Sequence, residues 1–114
     1  MIIVEHINIG HIPTLQVVKK SVKDEPLPTV IYFHGFNGEK ESSLTIAYKM
    51  ADKGLRVMLP DAPLHGERAI SSEPIEHGRT FWNIVLQAVE EIATITSYII
   101  NQSWTVNDRI GIGG

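Results

Sequence analysis

The chain has 114 residues, 43% of them hydrophobic, which bounds it to one globular domain with the apolar content of a folded protein. Ten Lys and Arg against thirteen Asp and Glu give a net charge of -3 with no basic stripe, so nucleic acid is excluded as an expected partner. The absence of cysteine excludes a disulfide framework, a thiolate metal site and a cysteine nucleophile, and no run of ~18 apolar residues suggests a membrane span. The opening Met1-Ile2-Ile3-Val4 is broken at once by Glu5 and His6, which does not read as a signal peptide, so the expected address is the cytoplasm.

Residues 2–9 are rich in Ile and Val and are closed by Gly10, the pattern of a strand and a turn. Residues 14–20 alternate in part and run into Lys19-Lys20-Ser21, as a hairpin partner at a sheet edge would. Pro26 and Pro28 turn their preceding residues away from helix and mark a connecting loop. Residues 29–33 form an unbroken β-branched and aromatic run, expected where a parallel strand is covered on both faces. From 39 to 53, Leu44, Ala47, Tyr48 and Ala51 recur at helical steps and Gly54 supplies the stop.

Residues 55–59 read as a second short buried strand ended by Pro60, and residues 61–78 as a long, partly ordered loop. Residues 80–101 place Phe81, Val85, Ala88, Val89, Ile92, Ile95 and Ile99 on one stripe, with Asn83, Gln87, Glu90, Glu91 and Thr94 opposite. After a turn at 104–108, residues 109–114 begin another buried strand. Two strands, then strand, helix, strand, helix, strand is the order of an α/β domain with a mostly parallel sheet, an antiparallel start and helices on both faces. The last strand is expected to leave one sheet edge uncovered.

Three features could carry chemistry. His34-Gly35-Phe36-Asn37-Gly38 lies between a buried strand and a helix, at the carboxyl end of the sheet where open α/β folds bind ligands. A glycine-flanked turn there can aim backbone amides at an oxyanion, or it can be a tight turn with a hydrogen-bonded core histidine, and the residues alone leave both readings open. The second feature, residues 59–68, holds Asp61 and His65 at the end of the next strand. These two suit loop structure, substrate contact or metal ligation, and two ligands make no metal site by themselves. The third is the terminal Gly111-Ile112-Gly113-Gly114 after a strand.

A hydrophobic strand ending in His34-Gly35-Phe36, followed by a helix and a strand ending in Pro60-Asp61, resembles the α/β-hydrolase superfamily. Residues 59–68 are similar to loops in bacterial esterases of the prolyl-oligopeptidase and dienelactone-hydrolase-like branch. The resemblance implies that residues 1–114 are the amino-terminal half of such a domain and that the parent is a carboxylic-ester hydrolase acting on small-molecule esters through an acyl-enzyme, with no cofactor or metal. It implies that the Phe36 amide donates to the oxyanion, that Gly35, Phe36, Asn37 and His65 meet substrate, and that His34 and Asp61 are structural. Gly113 or Gly114 then opens the nucleophile elbow, so that the serine, acid and histidine of the triad follow residue 114 and the chain alone is inactive.

None of His6, His11, His34, His65 or His77 is assigned as general base. Ser42, Ser43, Ser71, Ser72, Ser97 and Ser103 read as caps, turns or helix surface. Phe81 and Trp82, at helical spacing, read as core, and Arg79 as a solvated loop charge. Two further classes stand beside the hydrolase. One is a nucleotide-binding α/β module that uses residues 111–114 as part of a glycine-rich turn. The other is a non-catalytic interaction protein whose open sheet edge pairs with a second copy as a homodimer.

Overall fold

A computed structural model describes residues 1–75 and 78–114. Strand β1 (Ile2–Ile9) turns through Gly10 and His11, with Gly10 at φ +60°, into antiparallel β2 (Ile12–Lys19). Strand β3 (Leu27–Tyr32) is followed by a single 3-10 turn and helix α1 (Leu44–Asp52), then by β4 (Arg56–Pro60). Helix α2 (Arg79–Asn101) and strand β5 (Thr105–Gly113) complete the described fold.

The sheet order is β1-β2-β4-β3-β5, with β2 antiparallel to β1 and β4, and β3 parallel to both β4 and β5. The expected antiparallel start is present, and the sheet as a whole is mixed, with two antiparallel pairings followed by two parallel ones. Strand β2 differs from its reading as an edge strand: it lies between β1 and β4 and is buried at every residue but Lys19. Its polar residues are satisfied internally, which is why partial alternation did not mark an exposed face: Thr14 Oγ1 donates to the Ile12 carbonyl at 3.1 Å, and Gln16 Oε1 accepts from Arg56.

The core has two halves, one on each side of the sheet. Ile9, Ile12, Ile31 and Met58 pack against Ile95 and Ile99 of α2, while Leu15, Val17, Val57 and Leu59 pack against Ala47 and Ala51 of α1. The two alanines bring α1 close to the strands. The expected helix over 39–53 begins instead as a 3-10 turn over Lys40–Ser43, opened by a reciprocal capping box between Glu39 and Ser42. It stops as expected at Gly54, φ +95°.

The stripe on α2 is rotated from its sequence reading. Ile84, Glu91, Ile95 and Ile99 are the buried positions, Val89 is 58% exposed, and Trp82, expected in the core, is 62% exposed. Strand β5 contains the expected turn as an irregularity inside the strand. Leu27 faces Thr105 but Thr29 faces Ile110, and Asn107 and Asp108 take φ of 51° and 54° between them.

Arg56 is the largest fully buried side chain at the amino end of the sheet. Its guanidinium donates to Gln16, to the carbonyls of Lys23 (2.8 Å), Glu25 (2.9 Å) and Trp104 (3.3 Å), and stands 5.0 Å from the Trp104 ring. One planar fork thus ties β4, β2, the loop before β3 and the entry to β5. Arg56→Met is expected to cost about 3 kcal/mol or more of unfolding free energy, because it strands the buried Gln16 amide oxygen and takes the donor from three part-buried carbonyls. Arg56→Lys should recover little of it, since an ammonium cannot span the same fork. Urea titration followed by tryptophan fluorescence measures both, and a loss under about 1 kcal/mol for the Met variant would contradict this role.

Candidate active site at the carboxyl ends of the parallel strands

The turn after β3 and the loop after β4 meet above the sheet, as parallel strands that end side by side require. Asp61 is their shared anchor and is 1% exposed. Its Oδ1 accepts the Lys40 backbone N-H at 2.8 Å, and its Oδ2 accepts Lys40 Nζ at 3.0 Å and the Glu67 backbone N-H at 3.0 Å. Lys40, 2% exposed, also reaches Glu67 Oε2 at 2.6 Å and Glu41 Oε2 at 3.3 Å. Burial alone would pull the lysine pKa down, but hydrogen bonds to Glu67 and Asp61 and the charge of Asp61 outweigh it and raise the pKa.

Gly66 is fixed by this anchor. It sits at φ +55°, and a Cβ there would run into the Asp61 carboxylate. Arg68 extends the loop to α2 through a bidentate pair with Glu91, both bonds 2.7 Å, while also donating to the Asp61 carbonyl at 3.1 Å. Burial of Glu91 opposes its charge, yet Arg68 prevails and holds the carboxyl pKa below the ordinary range.

His34 and His65 stand between the two loops with ring centroids 5.1 Å apart. His34 Nε2 accepts the Ala62 N-H at 3.1 Å, and its Nδ1 lies 2.8 Å from the Gly35 carbonyl. His65, 4% exposed, accepts the Asn37 N-H on Nε2 at 2.9 Å, with Nδ1 2.9 Å from the Pro63 carbonyl. Asn37 takes φ 64°, which asparagine tolerates better than most residues, and its amide side chain pairs with both the N-H (2.7 Å) and the carbonyl (3.1 Å) of Ile75.

Beside the turn lies an apolar cleft of about 240 Å³, walled by Phe33, Phe36, Phe81, Val85, Ile92 and Ile112. Phe36 stacks edge-on against Phe81 at 4.9 Å and against His65 at 5.5 Å. Of the residues expected to meet substrate, Gly35, Phe36 and His65 border this cleft, whereas Asn37 borders a neighbouring polar hollow with Glu39 and Ser72. The turn abuts the end of β5: the Phe33 N-H donates to the Gly113 carbonyl at 2.9 Å. A Cβ on Gly114 would stand 3.0 Å from the Phe33 carbonyl oxygen, and one on Gly113 would stand 3.1 Å from the Tyr32 ring.

Sequence reasoning gave no role to Lys40, Gly66, Glu67, Arg68 or Glu91. The only signal for them was the close spacing of Gly66, Glu67 and Arg68 after Asp61. His77 lies outside the described residues. Among the described residues, no three His, Asp or Glu side chains are grouped to hold a metal ion, and no helix is long and apolar enough to cross a membrane.

A strand-turn-helix bearing His34-Gly35-Phe36, a parallel neighbour ending in Pro60-Asp61, and a third parallel strand closing on paired glycines together define the amino-terminal half of an α/β-hydrolase fold. Over all 114 residues the chain is 38% identical to esterase YjfP of Escherichia coli (strain K12) and 39% identical to YitV of Bacillus subtilis (strain 168). It covers 45% of each, so it spans about half the length of the curated relatives it matches. Among solved structures, TT1662 from Thermus thermophilus superposes with a TM-score of 0.79 at 20% identity, over 100% of this chain and 47% of that one. A Klebsiella pneumoniae subsp. pneumoniae MGH 78578 structure described as "Putative Dienelactone Hydrolase" gives 0.75 at 20% identity, over 99% of this chain and 50% of that one. These likenesses agree with the expected resemblance to the dienelactone-hydrolase and prolyl-oligopeptidase-like branch. No family model matches it.

Lys40→Met should destabilise the protein by about 3 to 5 kcal/mol, because it leaves the buried Asp61 carboxylate without its cation. Gly66→Ala should also destabilise it, through left-handed strain and the collision with Asp61 together. Calorimetric melting measures both; an unchanged melting temperature for either would contradict the anchor.

Proposed function

We propose that the chain is the oxyanion-binding half of a serine carboxylic-ester hydrolase acting on small-molecule esters. One observation carries this reading: the parallel pairing of β3 with β5 sets Gly113 and Gly114 against the backbone of the turn at 33–36. A serine presented just beyond β5 would stand beside the Phe36 amide, with the apolar cleft alongside. The match of all 114 residues to part of an esterase agrees with it.

In this mechanism the serine hydroxyl attacks the ester carbonyl, and a histidine outside the chain takes its proton. Negative charge collects on the carbonyl oxygen. The Phe36 N-H donates to that oxygen, along with the N-H of the residue after the serine. Collapse expels the alcohol and leaves an acyl-enzyme that water then hydrolyses. Gly35 keeps side-chain bulk away from the reacting carbon, and the walls of Phe33, Phe36, Phe81 and Ile112 receive the apolar part of the ester. His34, Asp61, Gly113 and Gly114 keep structural roles at this site, and the chemistry draws on no cofactor.

The 114 residues alone should give no burst with p-nitrophenyl acetate, whereas a protein that continues past Gly114 with X-Ser-X-Gly should give one. In that longer protein, Phe36→Pro removes the donor and should lower kcat by about 10²- to 10³-fold, while Phe36→Ala keeps the N-H and should retain most of it. A burst from the shorter chain, or equal kcat for the two variants, would overturn the assignment.

A further inference from the structure

The two histidines between the site loops are bonded in opposite directions. His34, on the turn after β3, accepts an N-H from Ala62 on the loop after β4; His65, on that loop, accepts an N-H from Asn37 on the turn. Each ring turns its other nitrogen to a carbonyl of its own loop, that of Gly35 or Pro63. A backbone N-H only donates and a carbonyl only accepts, so the partners dictate the protonation of both rings. Each must be neutral and carry its proton on Nδ1. A ring protonated on both nitrogens would set an N-H against an N-H.

We infer that His34 and His65 form a reciprocal latch that holds the Phe36 turn at a fixed place beside the end of β5, and that protonation of either ring opens it. The effect on turnover rests on the ester-hydrolase reading, whereas the latch itself stands on the two amide bonds. Both rings act as positioning residues. Neither can serve as general base while latched, because each basic nitrogen already accepts a main-chain N-H.

The ionisable groups facing His34 are His65, Asp61 and Glu39, and Asp61 is itself engaged by Lys40. From α2, the cleft receives Phe81, Ile84, Val85 and Ala88, which carry no charge. Burial lowers the His34 pKa, and the nearby His65 adds to this, against the Gly35 bond and the two carboxylates. The unfolded chain therefore takes up this proton first as the medium is acidified. The stability due to neutral His34 is full above the ordinary imidazole pKa of ~6.5 and declines as pH falls below it toward the depressed folded value.

The test uses a protein that contains this chain and continues past Gly114, labelled with 15N on histidine. Long-range proton-nitrogen spectra should show both rings as the Nδ1-H tautomer at neutral pH. The Asn37 and Ala62 amides should be protected from exchange and lose protection together as the rings protonate. His65→Ala should speed exchange at Asn37 and lower kcat for p-nitrophenyl acetate at least about tenfold with little change in KM. His65→Gln, whose Oε1 can accept in place of Nε2, should restore both. An Nε2-H tautomer on either ring, or Asn37 exchange unchanged in His65→Ala, would overturn the latch. Should the alanine variant fail to fold, the wild-type tautomers and the glutamine variant still decide it. A wild-type protein without esterase activity would sink the functional reading, and the spectra would then judge the latch alone.

Discussion

A carboxylate removed from water must be met by donors, and Asp61 is where this chain meets that requirement. Three donors converge on it: the N-H and ammonium of Lys40 from one side, and the N-H of Glu67 from the other. Satisfying them draws the start of the first helical segment and the loop after β4 to one point, and sets the distance at which the turn between them can lie. The gain is in geometry more than in net stability, because a buried ion pair recovers little beyond its own desolvation. Gly66 shows how tight the arrangement is, since no side chain fits beside the anchor.

A second pair carries this order to the helix layer. Arg68 joins Glu91 of α2 through two parallel bonds, so that the helix and the loop share one reference. Farther along, α2 seals the sheet with Ile95 and Ile99, while its first turns supply Phe81 and Val85 as one wall of the cleft. The candidate site thus sets a tightly buried anchor at Asp61 beside an open apolar cleft.

The sheet was legible because its signal is local. A β-branched run such as residues 29–33, or a stripe as long as that of α2, announces itself within one window. The turn at His34 was legible through its place between strand and helix, and Asp61 as a tie for its loop followed from resemblance. Burial of Lys40 and Glu91 was not legible. Each reads as a solvated helix charge, and each is buried only because its counter-ion arrives from a loop distant in sequence. Gln16 misled in the same way, since its partner Arg56 lies on another strand. Trp82 misled in the other direction: helical spacing fixes the angle around an axis but not which arc of α2 faces the sheet.

Strand β5 forms one border of the sheet, and its two halves differ in kind. The first is broken by the left-handed Asn107 and Asp108 and carries Asp108 and Arg109 outward, a design that discourages stray strands from annealing to it. The second, from Ile110 to Gly113, is regular, thinly clothed by glycine and unguarded by charge. Any polypeptide that extends the sheet on this flank is therefore steered to the segment beside the His34-Gly35-Phe36 turn, where a newly annealed strand would also become a neighbour of the apolar cleft.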